Sequence, residues 1–174
     1  LDFPGVRLVG VVSADTALQL PDFRASERTF QLVSQVAGRA GRTADGPQAR
    51  VIVQSMHPDN PAVLHAAAHE WDRFAEHELA MRAGAGLPPV KRMARIVFRD
   101  RDLDAAMAMA NAAAQALSNT NEEIELLGPA PCPMARIDDR HRIGLEVLGE
   151  TPGTLGRALA KARVAGGLKP GEKV

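Results

Sequence analysis

The sequence predicts an α/β protein in two parts: a parallel strand–helix–strand unit, then an α+β unit whose elements run β-α-β-β-α. Three observations lead there. Two short apolar runs, residues 6–12 and 50–55, flank a stretch of helical periodicity, the order expected of a parallel α/β unit. Residues 84–89, Gly-Ala-Gly-Leu-Pro-Pro, make the clearest break in the chain. Beyond that break, alternating and helical patterns follow one another in a new order.

Residues 6–12 are β-branched and nearly continuously apolar, as in a central strand covered on both faces. Asp15 follows just past the carboxyl end. In α/β sheets that edge binds ligands, so Asp15 is a candidate site residue, with a turn or capping role as the alternative. The loop at residues 20–23 contains Pro21, and Ser26 offers an N-cap for the next helix. Residues 43–47 form a turn, and 50–55 a second interior strand. Two strands and one helix cannot close a core alone, so this part reads as the end of a larger α/β domain.

After residues 57–60 a single long helix is expected, about residues 61–83, burying Trp71 and Phe74. His65, His69, Asp72 and Glu76 line its other side. They form the polar stripe of an amphipathic helix and lack the HExxH spacing of a zinc site. In the second part, residues 93–98 read as a strand, 103–117 as a helix and 124–127 as a strand. Residues 128–133 read as a rigid, proline-limited connection. Residues 142–148 alternate towards a strand, and Pro152 suits the first turn of a last helix over 155–164. This order is one strand short of a split ferredoxin-like fold, and residues 166–171 would lead into the missing strand. Met107 and Met109, two apart, cannot share a helix face, so one is core and the other is not.

The most specific stretch is Gln35-Val36-Ala37-Gly38-Arg39-Ala40-Gly41-Arg42. On a helix of about 100° per residue, Gln35, Arg39 and Arg42 fall within roughly 60° of one another. Phe30, Val33, Ala37 and Ala40 lie opposite. One face would be buried and the other would present two guanidiniums and a carboxamide. Guanidinium donors match phosphate oxygens in pairs, and small glycines let a ligand approach closely. The pattern is that of a phosphate reader.

Composition narrows the class. The formal net charge is zero, which excludes a wholly basic nucleic-acid coat, yet basic residues cluster locally at 91–101 and at 157–169. A single cysteine, Cys132, allows no internal disulfide and supplies at most one ligand of a thiolate zinc site. No apolar run reaches the ~18–20 residues of a membrane span, and the first residues lack the features of a signal peptide, so a cytoplasmic location is expected. The chain opens without methionine in front of an apolar strand, as an internal piece of a longer protein would.

Residues 6–42 resemble the last helicase motifs of superfamily 2 enzymes, and the chain as a whole is similar to the carboxy-terminal portion of the PriA-type replication restart helicases. The resemblance rests on residues 11–15 (Val-Val-Ser-Ala-Asp), 20–32 (Leu-Pro-Asp-Phe-Arg-Ala-Ser-Glu-Arg-Thr-Phe-Gln-Leu) and 35–42. It continues through residues 78–82, 87–89, 92–95 and 127–131. Ser13 stands where the family often has aspartate, and Leu87 where an aromatic is common.

The resemblance implies the end of a RecA-like helicase lobe 2 over residues 1–60, with a linking helix and Pro/Gly boundary over 61–89. An S10-like carboxy-terminal domain, lacking its last strand, would occupy 90–174. It further implies ATP and Mg²⁺ held mainly by a first lobe, with Arg42 as an arginine finger, Arg39 beside it on the phosphates and Gln35 sensing the nucleotide. Asp15 would couple lobe closure to DNA. Lys91, Arg92, Arg95, Arg140 and Arg142 would contact phosphates of branched DNA, forks or D-loops. Single-stranded DNA-binding protein and other primosome proteins would be partners, and no membrane would be involved. The family's GxxxxGK loop, magnesium-binding acidic motif and zinc-binding Cys-x-x-Cys pairs have no counterpart in these residues, so Zn²⁺ would belong to the full-length protein. The alternative is a free-standing, non-enzymatic module that holds DNA or a protein partner.

Overall fold

In the computed structural model, which describes residues 8–40 and 50–168, β1 (Leu8–Val11) and β2 (Arg50–Val53) pair in parallel, with Leu8 opposite Arg50 and Val11 opposite Val53. Backbone bonds from Gln54 N to Val11 O (2.9 Å) and from Ala14 N to Gln54 O (3.1 Å) extend the pairing beyond the carboxyl ends. Between the strands lie α1 (Asp15–Leu18), a single turn, and α2 (Ala25–Ala40). These belong to the first of two compact units, Leu1–Met81 and Arg82–Val174.

The first unit's core is small and aromatic. Phe30 and Val33 of α2 pack with Ala62, Ala66 and Phe74, and Leu18 and Val53 close the cluster. The Phe30 and Phe74 rings stack at 4.2 Å between centroids, and Val33 is fully buried. Only one face of the strand pair is covered this way. Leu8 (59% exposed), Val12 (78%) and Ile52 (56%) lie bare, so among the described residues β1 is not the doubly covered strand its composition suggests.

Two expected helix features are corrected here. Ser26 is not the N-cap of α2, because the helix already begins at Ala25. Asp22, in the preceding turn, organises that end instead. Its carboxylate accepts from Arg24 N (3.0 Å), its carbonyl accepts from Ala25 N (2.9 Å), and it pairs with Arg28. The expected long helix is two helices, α3 (Pro61–Ala67) and α4 (Trp71–Gly84). His69 takes a left-handed φ of 57°, which ends α3. The Glu70 carboxylate bridges the break, bonded to His65 Nδ1 and Arg73 Nη1 at 2.9 Å each. On one straight helix Phe74 would sit about 80° round from Ala66; the break lets both enter one core. Phe74 is buried as expected, but Trp71 remains 55% exposed, touching Phe30 edge-on at 5.4 Å.

The second unit has the order β3 (Arg92–Asp100), α5 (Leu103–Ser118), β4 (Ile124–Ile137), β5 (Arg140–Gly149) and α6 (Pro152–Val164). The strands form one antiparallel sheet with β5 between β3 and β4. Asp102 and Thr151 cap α5 and α6 through Asp104 N and Thr154 N, with Pro152 in the first turn of α6. An alanine stripe on α5 (Ala106, Ala110, Ala113) with Leu117 is fully buried, so the helix lies close to the sheet. Ala113 and Leu117 make the main core with Leu145, Val147, Leu155, Ala158, Ala162 and Leu168, and Ala106 and Ala110 meet Ile143 in a second cluster. Met107 packs against Ala106 and Ala110, whereas Met109 is exposed.

Residues 128–133 are a further correction: they do not leave the sheet as a connection but continue β4 to Ile137. β4 is an edge strand, where prolines lose no ladder bond on the open side. Its pairing is irregular, shifting between Leu127 and Ala130 and again between Pro131 and Arg136. Gly128 makes the first shift feasible. It has a φ of +98°, and a Cβ there would lie 2.9 Å from Gly144 O, so no side chain fits. Of the segment expected to lead into another strand, residues 169–171 lie outside the described residues.

Candidate functional site

Two places carry chemistry. The first is the outer face of α2. Burial of Phe30 and Val33 turns Gln35 to solvent, as helical periodicity requires. A Cβ built on Gly38 would meet nothing within 4 Å, so space beside Gln35 and Arg39 is open on that side. The backbone of Arg39 lies in the last turn of α2. The Arg39 side chain and all of Gly41 and Arg42 lie outside the described residues.

Asp15 is 6% exposed, just beyond β1, and both carboxylate oxygens are engaged. Ser55 Oγ donates to one and Met56 N to the other, at 2.9 Å each. The aspartate thus ties the exits of β1 and β2 together. The Met56 backbone bond, chiefly, holds its carboxyl below the ordinary value of 3.8, with Ser55 adding to it and burial opposing. A carboxylate with a lowered folded pKa contributes stability that is full above the unfolded pKa and lost as pH falls through the folded one. Asp15→Ala is therefore expected to lower the thermal midpoint at pH 7, with the gap to wild type closing only below about pH 4. A gap independent of pH down to 2 would contradict this. Among the described residues no group of three or more His, Cys, Asp or Glu could hold a metal ion.

The second place is the sheet of the second unit. Ala94, Ile96 and Phe98 of β3 face the helices with Leu145 and Val147 of β5. By alternation, Arg95 and Arg99 of β3 and Arg140, Arg142 and Glu146 of β5 point to the opposite face, which α5 and α6 leave uncovered among the described residues, although Leu148 at its Lys91 end is buried. The five basic residues selected from the sequence do not form one surface. Arg92 sits three positions before Arg95, on the other side of the strand. Arg95 is opposite Glu146 in register and pairs with it. Lys91 pairs with Glu125 at 3.0 Å, which raises the lysine pKa chiefly through that hydrogen bond. Arg140 is exposed at the start of β5, opposite Ile137. Arg142 Nη1 donates to Met134 O at 3.2 Å.

One further basic residue, Arg99, shares the face of Arg142 and stands directly opposite it. The Arg95-Ile96-Val97-Phe98-Arg99 alternation carries that signal, but the pairing with Arg142 depends on strand register. Of the basic residues on α6, Arg157 and Lys161 are both drawn to Glu122, at 3.0 and 2.7 Å, and so are internally satisfied.

A family model described as the primosomal protein N C-terminal domain matches residues 83–171. Replication restart protein PriA of Bacillus subtilis (strain 168) is 41% identical over 143 residues, 82% of this chain and 18% of the relative. That of Treponema pallidum (strain Nichols) is 42% identical over 143 residues, 82% of the chain and 22% of the relative. That of Haemophilus influenzae (strain ATCC 51907 / DSM 11121 / KW20 / Rd) is 37% identical over 165 residues, 94% of the chain and 22% of the relative. The chain thus spans about a fifth of the length of these relatives.

Proposed function

Because this chain belongs to the PriA family of replication restart proteins, we propose that it is the closing portion of an ATP-dependent 3′-to-5′ DNA helicase acting at stalled or abandoned replication forks. In this reading residues 1–60 end a RecA-like second lobe, 61–89 link, and 90–174 form an S10-like domain. Arg42 and Arg39 donate to nucleotide phosphate oxygens from across an interlobe cleft, and Gln35 reports the nucleotide's presence. A forked donor set facing a phosphoryl group stabilises the charge that develops as the group transfers. The outward face of α2 beside Gly38 suits that role. ATP and Mg²⁺ would be held mainly by a first lobe, and Zn²⁺ by residues elsewhere in the full-length protein. Asp15 fixes the strand exits next to which a DNA-coupling loop would sit. The second unit's uncovered sheet face holds branched DNA, and single-stranded DNA-binding protein and primosome proteins are the protein partners.

One observation favours the enzyme over a free-standing binding module. The similarity to the Haemophilus influenzae protein runs through 94% of the chain, so it takes in the arginine helix as well as the matched domain. ATP hydrolysis by the intact protein, measured with and without forked DNA, tests the reading. DNA-stimulated turnover is expected; fork binding without any turnover would favour the module.

A further inference from the structure

We propose that Arg99 and Arg142, with Arg140 beside them, form the phosphate-binding strip of the second unit, taking a nucleic-acid backbone along the uncovered sheet face; this rests on the DNA-binding reading above and narrows it to named residues. Arg99 and Arg142 are register partners on adjacent antiparallel strands, which brings like charges to about 4.5–5.5 Å between Cβ atoms and is unfavourable in the bare protein. Neither has a carboxylate. The Arg99 side chain has no hydrogen-bond or ion-pair partner among the described residues. Arg142 has one acceptor, Met134 O, while its buried Nε has none. A fold that keeps two opposed guanidiniums with so little internal compensation departs from local consistency, as proteins do at binding sites.

The rest of the face sharpens the contrast. Arg95 and Lys91 are neutralised by Glu146 and Glu125. A shallow pocket at the Lys91 end is lined by Glu123, Glu125 and Glu150 and would repel phosphate. Among the described residues on this face, Arg99, Arg142 and Arg140 are left without a carboxylate partner, and the nearby Asp139 is taken by Arg136. Arg140 and Arg142, two apart, repeat at about 6.6–6.8 Å, a spacing commensurate with successive phosphates of an extended strand. Guanidiniums bind such oxygens in forked pairs.

The test is fork-DNA affinity of the intact protein between about 50 and 200 mM salt, for Arg99→Gln, Arg142→Gln, the double variant and Lys91→Gln. Each lost phosphate contact is expected to flatten the log–log salt slope by about 0.7–0.9, so the double variant loses about twice that. Lys91→Gln leaves the slope unchanged. The thermal midpoint of Arg99→Gln should equal or exceed wild type, since a repulsion is removed. Should Arg142→Gln fold poorly, Arg99→Gln alone decides. An unchanged slope in the folded variants overturns the proposal while leaving DNA binding by the protein intact. An unchanged slope with lost affinity for an Asp/Glu-rich peptide would assign the strip to a protein partner instead. Absence of fork binding in wild type overturns both this and the reading beneath it.

Discussion

Arg42→Ala in the intact protein is expected to reduce DNA-stimulated ATP hydrolysis by about 10³-fold or more, the scale of an arginine finger, while fork binding stays largely as in wild type. The difference follows from where charge develops. A guanidinium delivered from a second lobe meets the phosphoryl group only as it transfers, so its loss raises the barrier by about 4 kcal/mol without loosening DNA. Arg42→Lys should remain impaired, because an ammonium keeps the charge but not the fork. The scaffold suits such a part: Phe30 and Val33 anchor α2 by its inner face, which leaves Gln35 outward. Near-normal hydrolysis by Arg42→Ala would remove the finger assignment.

Phe30→Ala should have the largest effect on stability. Phe30 is 4% exposed, stacks on Phe74 at 4.2 Å and meets Trp71 edge-on at 5.4 Å. Truncating a buried phenylalanine costs about 3–5 kcal/mol through lost transfer energy and the cavity left behind. The core of this unit is small, so little else can refill the space. Trp71 is the single tryptophan of the chain and lies against Phe30, so its fluorescence reports the loss in urea unfolding of the 174-residue chain. A clear fall in the midpoint is expected with little change in the slope; an unchanged midpoint would show that the aromatic cluster does not hold α2. In the intact protein the same substitution should also depress ATP hydrolysis, since the helix bearing Gln35 and Arg39 loses its anchor.

The parts of the fold legible in the sequence are those set by local periodicity. Alternation in β3 and β5, the alanine stripe of α5, and Pro152 after Thr151 are all signals within one element. The parts that were not legible depend on partners distant in sequence. His69 breaks a helical pattern because Ala66 and Phe74 share one core, which periodicity along a single helix cannot reveal. In the Gly-Pro-Ala-Pro segment prolines argue for a connection and against a strand; an edge position and a bulge at Gly128 make them acceptable. For the candidate sites, Gln35 and the buried side of α2 followed from helix geometry. Asp15 is visible as a strand-end carboxylate, but its bonds to Ser55 and Met56 come from the segment just after β2, some 40 residues away. Lys91 and Arg95 looked available until the sheet paired them with Glu125 and Glu146. Arg99 gained its importance only from the register that faces it with Arg142.

Strand displacement by the intact protein on forked duplexes tests the proposed motor most directly. With ATP, a fork carrying a 3′ single-stranded tail should be unwound, one carrying only a 5′ tail should not, and Arg42→Ala should unwind neither. Tight fork binding with no ATP-dependent displacement, or displacement undiminished in Arg42→Ala, would contradict it.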